Sequence, residues 1–354
     1  MADKLKVGVL YGSDADLLPE EREGFGGLSL NLRGNNDLPR LIDANHAEVV
    51  PLLMAPNYLS RRWRYDLARF DVIFCALADP DINATSLLLS ISMLAGAKTP
   101  VVNDPRNIIR TRRDIAAGLL RGLPGLLVPR TVRLEPGQKP SEIAGIRGLN
   151  YPLLIRSAGS HTGVGLVRAE TAAELDAAME AGTVVAPAYL TEFVDTRGED
   201  GLYRKMRLMV CGKTVLMRHH LFFDQWQVHA AAQSFMEERP ELLEYERKVA
   251  AEPLQVLPAQ GAQLMTAIKT RIGLDYFGID CARMPDGRLA VFEVNAVMNM
   301  LPASRHPVRG PFTVAAIGRI ASDINALLRE RGKARPPGRP PATAKRAARR
   351  RVVN

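Results

Sequence analysis

The chain has 354 residues, 47% hydrophobic and 24% charged, which is the profile of a soluble globular protein of two or three domains. No run reaches the roughly 18 apolar residues that argue for a membrane span. The net charge of +9 is concentrated at one end: positions 331–354 hold nine of the 47 basic residues and no acid, so the remaining 38 balance 38 acids, which argues against a nucleic-acid-binding body.

In chain order, residues 5–10 read as a buried strand leading into the turn Tyr11-Gly12-Ser13-Asp14. Further strands are expected at 48–53, at 71–76 after the basic and aromatic segment Arg61-Arg62-Trp63-Arg64, and at 100–103, with a helix at 83–97. This alternation predicts an open parallel α/β domain over residues 1–105. Gly24-Phe25-Gly26-Gly27 falls in the loop after the first strand and lacks dinucleotide-fingerprint spacing. The N-terminus shows no apolar signal segment, and Cys75, Cys211 and Cys281 are widely spaced within apolar runs. Buried thiols and a cytoplasmic location are therefore expected, with no zinc or redox motif.

The pattern then changes. A helix is expected at 111–121 and strands at 131–134, 151–156 and 164–167, before a helix opened by the capping box Thr171-Ala172-Ala173-Glu174. Extended segments follow at 184–185 and 189–195, then a hairpin at 203–217 around Cys211-Gly212-Lys213. A helix at about 240–270, a second hairpin and a last helix at 313–330 complete a domain over 106–330, with a smaller subdomain at about 130–190. The Pro-rich basic tail, 331–354, is expected to be disordered and solvated, the alternatives being weak nonspecific attraction for anions and help in docking a protein acceptor.

Several segments carry chemistry. Gly159, Ser160, His161, Thr162 and Gly163 lie in a glycine loop between two strands, suited to closing backbone N–H groups over phosphates. It is not a Walker loop, since no Lys-Ser/Thr follows and no helix begins there. Arg156 ends the apolar strand before it, placed for phosphate oxygens or else for solvent or a local acid. Glu192-Phe193-Val194 forms an apolar extended linker whose backbone could pair with a base edge. A turn at Gly212-Lys213 would set Arg207 opposite Arg218, two guanidiniums that need an anion, either a ligand or a carboxylate such as Asp224. Finally, Asp286-Gly287 reads as a two-residue hairpin turn that pairs Asp280 with Glu293. Alternation then puts Glu293 and Asn295 on one face, a hard-oxygen set suited to Mg²⁺, or else acids that face solvent.

This order of glycine loop, Glu-Phe-Val linker, basic strand pair and Asp280 with Phe292-Glu293-Val294-Asn295 resembles the ATP-grasp superfamily over residues 5–325. The D-alanine–D-alanine ligase-like members and the ribosomal-modification-type glutamate ligases are the most similar in pattern. The resemblance implies an N-terminal open parallel α/β (pre-ATP-grasp) domain followed by a two-subdomain ATP-grasp fold. It implies ATP with Mg²⁺ (two ions, or Mn²⁺) held by Asp280, Glu293 and Asn295, adenine contacts at Glu192, Phe193 and Val194, and ribose contacts at Glu199 or Asp200. The loop from Gly159 to Gly163 would cover the phosphates, and Arg207 with Arg218 would serve catalysis. The implied activity is ATP-dependent carboxylate–amine ligation through an acyl phosphate, acting on small molecules, with a homodimer usual among such ligases. The alternatives are a ligase acting on a protein or peptide acceptor and an ATP-binding regulatory protein without ligation.

Two departures from the pattern stand out. Arg156 and Arg113 (or Arg112) occupy positions where the family usually has lysine. Asn295 is followed by Ala296-Val297-Met298-Asn299-Met300 rather than a Pro-Gly substrate loop, which argues against D-alanyl-D-alanine as product.

Overall fold

The computed structural model describes residues 4–14, 32–56, 65–161, 163–296, 301 and 303–333. The Gly24–Gly27 loop, the Arg61–Arg64 segment, Thr162, residues 297–300 and the tail beyond Lys333 lie outside the described residues.

Strands β1 (Leu5–Gly12), β2 (Ala47–Met54), β3 (Val72–Cys75) and β4 (Val101–Val102) form a parallel sheet in the order β2-β1-β3-β4. Its strands are short apolar runs with Val7, Val9, Val72 and Phe74 fully buried, as a parallel sheet covered on both faces requires. Between β3 and β4 runs the helix Ala84–Leu94. Asp14 caps its start, accepting from the Thr85 and Ser86 amides at 2.7 Å each, which satisfies two otherwise unpaired donors and complements the helix dipole.

The second sheet contains β5 (Leu126–Leu127), β10 (Tyr203–Cys211), β11 (Thr214–Phe223), β12 (Tyr276–Arg283) and β13 (Leu289–Asn295), in the order β11-β10-β12-β13-β5. All its pairs are antiparallel except β13 with β5. The third sheet, antiparallel throughout, has the order β6-β9-β7-β8 with β6 (Thr131–Leu134), β7 (Leu153–Ser157), β8 (Val167–Ala169) and β9 (Ala188–Glu192). The helices Pro140–Ile146 and Ala172–Glu180 accompany it, and Leu153, Ile155, Leu175 and Leu190 share its core. Thr171 caps the second of these helices, accepting from the Glu174 amide at 3.3 Å.

The first and second sheets share one core. Phe74 of β3 stacks on Tyr276 of β12 at 5.3 Å, and the Tyr276 hydroxyl donates to the Cys75 carbonyl at 2.9 Å. The closing helix, Arg309–Lys333, buries Ile320, Ile324 and Leu328 in that same cluster. It continues three residues into the basic run expected to be disordered, because Leu328 is buried and Arg331 pairs with Asp275. The helix expected at about 240–270 is instead two helices, Pro240–Ala251 and Gly261–Ile272. Pro253 and Pro258 fall between them, and proline can neither donate to nor fit inside a continuing helix. The returning strand after the glycine loop begins only at Val167.

The two hairpins depart from simple counting in instructive ways. At β12–β13 the Met284 amide donates to the Arg288 carbonyl and the Gly287 amide to the Met284 carbonyl, at 2.8 and 3.0 Å. The loop is therefore three residues, 285–287, with Gly287 at φ +82°, and Arg283 rather than Pro285 begins the ladder, opposite Leu289. A bulge beyond Cys281 then shifts the register back, so that Asp280 does face Glu293. In β10–β11 a bulge after Arg207 is not compensated. Arg207 pairs with His219, Leu208 with Met217, and Arg218 is the extra residue. The expected Arg207–Arg218 pair is thereby corrected, since a bulge sets two residues of one strand against one of the other.

Gly287→Ala is expected to destabilise the protein by about 1–2 kcal/mol, the cost of a left-handed conformation for a residue with a Cβ. Among the described residues, no atom beyond the glycine and its two chain neighbours lies within 4 Å of where that Cβ would stand, so a shifted denaturation midpoint with unchanged slope would report backbone strain alone.

Candidate functional site

Between the second and third sheets lies a cleft of about 350 Å³, with Arg156, Phe193 and Arg207 among its lining residues together with Asp280, Glu293 and Asn295. Its acidic wall is built by the register just described. Arg207 donates from Nε and Nη2 to the two Asp280 oxygens at 2.7 and 2.8 Å, a bidentate pair between neighbouring strands. Lys205, two residues earlier on the same face of β10, brings Nζ to 3.9 Å from Asp280 Oδ2. Arg113, at the start of the helix Arg113–Leu120, donates from Nη2 to Glu293 Oε1 at 2.8 Å. The side-chain oxygen of Asn295 is buried without a hydrogen-bond partner among the described residues, as is Nε2 of His219.

Electrostatics keep both acids charged. Burial alone would raise the Asp280 carboxyl, but Arg207 outweighs it and holds the group below the usual carboxylate range. Glu293 is likewise lowered, burial being overcome by Arg113. The cations feel the same crowding: burial and then Arg113 bring the Arg156 guanidinium down to about 10. The Lys205 ammonium is lowered by burial against the pull of Asp280. Burial, reinforced by Arg207 and Lys205, depresses His219 far enough to leave its imidazole neutral at pH 7.

The glycine loop closes one side. Arg156 donates from Nε to Ser160 Oγ at 3.1 Å and from Nη2 to the Ser160 carbonyl. His161 Nε2 sits 2.6 Å from Asp79 Oδ2, in the segment that follows β3, and Gln227 donates to the Gly163 carbonyl at 2.8 Å. Gly159 has φ +68°, and a Cβ there would meet Ile82 Cγ1 at 2.9 Å. The loop is thus tied to the first sheet through Asp79 and to the second through Gln227. Beside Asp79, Asp81 pairs with Arg133 and accepts from the Tyr189 hydroxyl at 2.8 Å, joining the first sheet to the third.

On the far side, Glu192 accepts from the Asn150 amide at 3.0 Å. Phe193 meets Trp226 edge-on at 6.0 Å, with the Arg168 guanidinium 4.1 Å over its ring. The amides of Glu192 and Phe193 donate to the carbonyls of Arg130 and Pro152, whereas no partner for the Val194 amide occurs among the described residues.

Of the residues singled out in the sequence, the structure gathers Arg113, Arg156, His161, Gly163, Glu192, Phe193, Val194, Arg207, Asp280, Glu293 and Asn295 around the cleft. Gly159 and Ser160 line a small recess beside it, between Asp79 and Glu293. Arg218 and Glu199 are not among the lining residues; Glu199 is exposed in the turn before β10. Sequence reasoning set Lys205 on one face with Arg207 without giving it a role, and passed over Asp79, Asp81 and Gln227. The acids had a signal, since they follow directly on a parallel strand, where open α/β sheets place their sites. Gln227 had none. No group of three or more His, Cys, Asp or Glu side chains suited to a metal occurs among the described residues, so the set here is two carboxylates and one amide.

No family model and no curated protein matches the sequence. Solved structures match it across nearly its whole length. The VanG D-Ala:D-Ser ligase of Enterococcus faecalis is 16% identical, with TM-score 0.54, covering 92% of this chain and 100% of that one. The D-alanine–D-alanine ligase of Bacillus anthracis, solved with ATP, is 16% identical, with TM-score 0.56 over 93% of this chain and 99% of that one. The ligase of Coxiella burnetii is 12% identical, with TM-score 0.56, covering 94% and 96% respectively. With its parallel first sheet, a second sheet antiparallel but for its β13–β5 pair, and an antiparallel third, this chain has the ATP-grasp fold shared with the D-alanine–D-alanine ligases.

Proposed function

We propose that the protein is an Mg²⁺-dependent, ATP-consuming carboxylate–amine ligase, with residues 1–105 contributing to the acid substrate's site and 106–330 carrying the nucleotide. The observation that supports this most is the convergence of Asp280, Glu293 and the unpartnered Asn295 oxygen on one wall, facing Arg113, Arg156 and Arg207. Two ionised carboxylates and a buried amide oxygen fit a hard cation, and these three residues would hold it. When bound, ATP with its Mg²⁺ supplies the phosphoryl group that turns a carboxylate into an acyl phosphate, from which an amine displaces phosphate.

The chain's own residues position and neutralise. Phe193 and Trp226 offer a base flat apolar walls, and the Val194 amide is free to donate to its edge. Arg156 and the Ser160–Gly163 loop lie where phosphate oxygens would be held. Asp79 and Gln227 hold His161 and Gly163 on either side of the cleft, and water excluded by a bound nucleotide would strengthen each charge interaction inside. Arg207, anchored on Asp280, holds a fixed positive charge toward the reacting centre.

The test is ADP release by the full chain across a panel of amino acids and small amines, with and without Mg²⁺. Release that requires Mg²⁺, one acid and one amine is the expected result. Nucleotide binding without release for any pair would sink ligation of small molecules.

A further inference from the structure

We propose that Lys205 is a catalytic residue whose ammonium contacts the phosphoryl group transferred from the nucleotide, an assignment that rests on the reading above. Lys205 and Arg207 alternate onto the same face of β10, but their circumstances differ. Arg207 occupies both oxygens of Asp280 at 2.7 and 2.8 Å. The Lys205 ammonium stops 3.9 Å short of the same carboxylate, beyond hydrogen-bond reach, with its side chain only 23% exposed. Among the described residues it makes no hydrogen bond. An ammonium carries three donors, and withdrawing it from water without filling them is costly.

Lys205 is not alone in this. Nε2 of His219 on β11 and Oδ1 of Asn295 on β13 are also unpartnered, and all three residues line the same cleft. Buried polar atoms are ordinarily satisfied; two left open on β11 and β13, together with an ammonium on β10 that makes no hydrogen bond among the described residues, mark a place that ligand atoms complete. The charge balance indicates which ligand. The lining holds Arg113, Arg156, Arg204, Lys205 and Arg207 against Glu192, Asp280 and Glu293, leaving two positive charges in excess before any metal is added. That suits a polyphosphate better than a single carboxylate. Arg113 is held by Glu293 and Arg156 by Ser160, whereas Lys205 has a flexible stem and no bond to break. Its ammonium stands 3.9 Å from Asp280, one of the residues that would hold the metal, and such metal ions bridge the β- and γ-phosphates, so its reach falls on the terminal phosphate.

The experiment is calorimetric titration of the full chain, native, Lys205→Met and Lys205→Arg, with Mg²⁺ and either β,γ-imido-ATP or ADP. Lys205→Met is expected to weaken the triphosphate analogue about tenfold or more, roughly 1.4 kcal/mol, with ADP affinity unchanged. Lys205→Arg should recover part of the loss. Equal affinity of Lys205→Met and native protein for both nucleotides would overturn the assignment, as would a parallel loss of both. If the native chain binds neither nucleotide, the nucleotide reading itself falls, and Lys205 with it; an unmoved preference in a chain that does bind them removes only Lys205.

Discussion

Glu293→Gln is expected to lower Mg²⁺-dependent ADP formation by about 10²–10³-fold, the range for removing one preorganised electrostatic partner of a reacting group. The substitution preserves volume, and the amide oxygen can still accept from Arg113, which now bonds Glu293 at 2.8 Å. What it removes is the negative charge that Arg113 holds in place against burial. Folding should therefore change far less than turnover. Glu293→Ala makes the complementary case: it leaves the Arg113 side chain, 15% exposed, with no acceptor among the described residues, at a cost of up to about 3–5 kcal/mol. Steady-state ADP release at several Mg²⁺ concentrations, read beside thermal denaturation of both variants, separates the two effects. A Glu293→Gln protein that turns over like the native one would remove Glu293 from the metal and nucleotide site.

Arg207→Met should destabilise the fold by about 3–5 kcal/mol, since it strands Asp280, only 6% exposed, without its bidentate partner. The double variant Arg207→Met with Asp280→Asn should recover much of that loss, because the charge left uncompensated is gone. The pair also has a pH signature. In the native protein the Asp280 carboxyl lies below its ordinary range, with Arg207 overriding burial. A carboxyl depressed in the folded state stabilises above its unfolded pKa of about 3.9 and loses that contribution as pH falls toward the folded value. Native stability should thus drop on acidification below about pH 4, and the slope should flatten in Arg207→Met. Denaturant midpoints measured from pH 7 down to pH 3 give the answer. Parallel pH curves for native and variant would mean that Asp280 does not depend on Arg207 for its charge.

Much of this architecture was legible in the residues themselves. Short apolar strands alternating with helices announce a parallel sheet before residue 105. Period-two alternation alone puts Glu293 and Asn295 on one face, because successive side chains of any strand point to opposite sides. The capping box at Thr171 and the glycine loop after Arg156 are equally local, and the structure has both. Asp280 was placed opposite Glu293 for a less secure reason: the three-residue turn and the bulge beyond Cys281 are two offsets that cancel. Where one bulge stood alone, after Arg207, the same counting set Arg218 in place of His219.

Other features belong to the tertiary structure, since they depend on what a neighbouring strand or sheet does. A bulge follows from how two strands twist against each other, which no single strand's sequence states. Asp79 reaches His161 over 82 positions, and Asp81 reaches Tyr189 over 108, so only the docking of the first sheet on the third reveals why those acids are there. The difference between Arg207 and Lys205 is of the same kind. Both are cations on one face of one strand, but a carboxylate has two oxygens, and the bidentate guanidinium takes both.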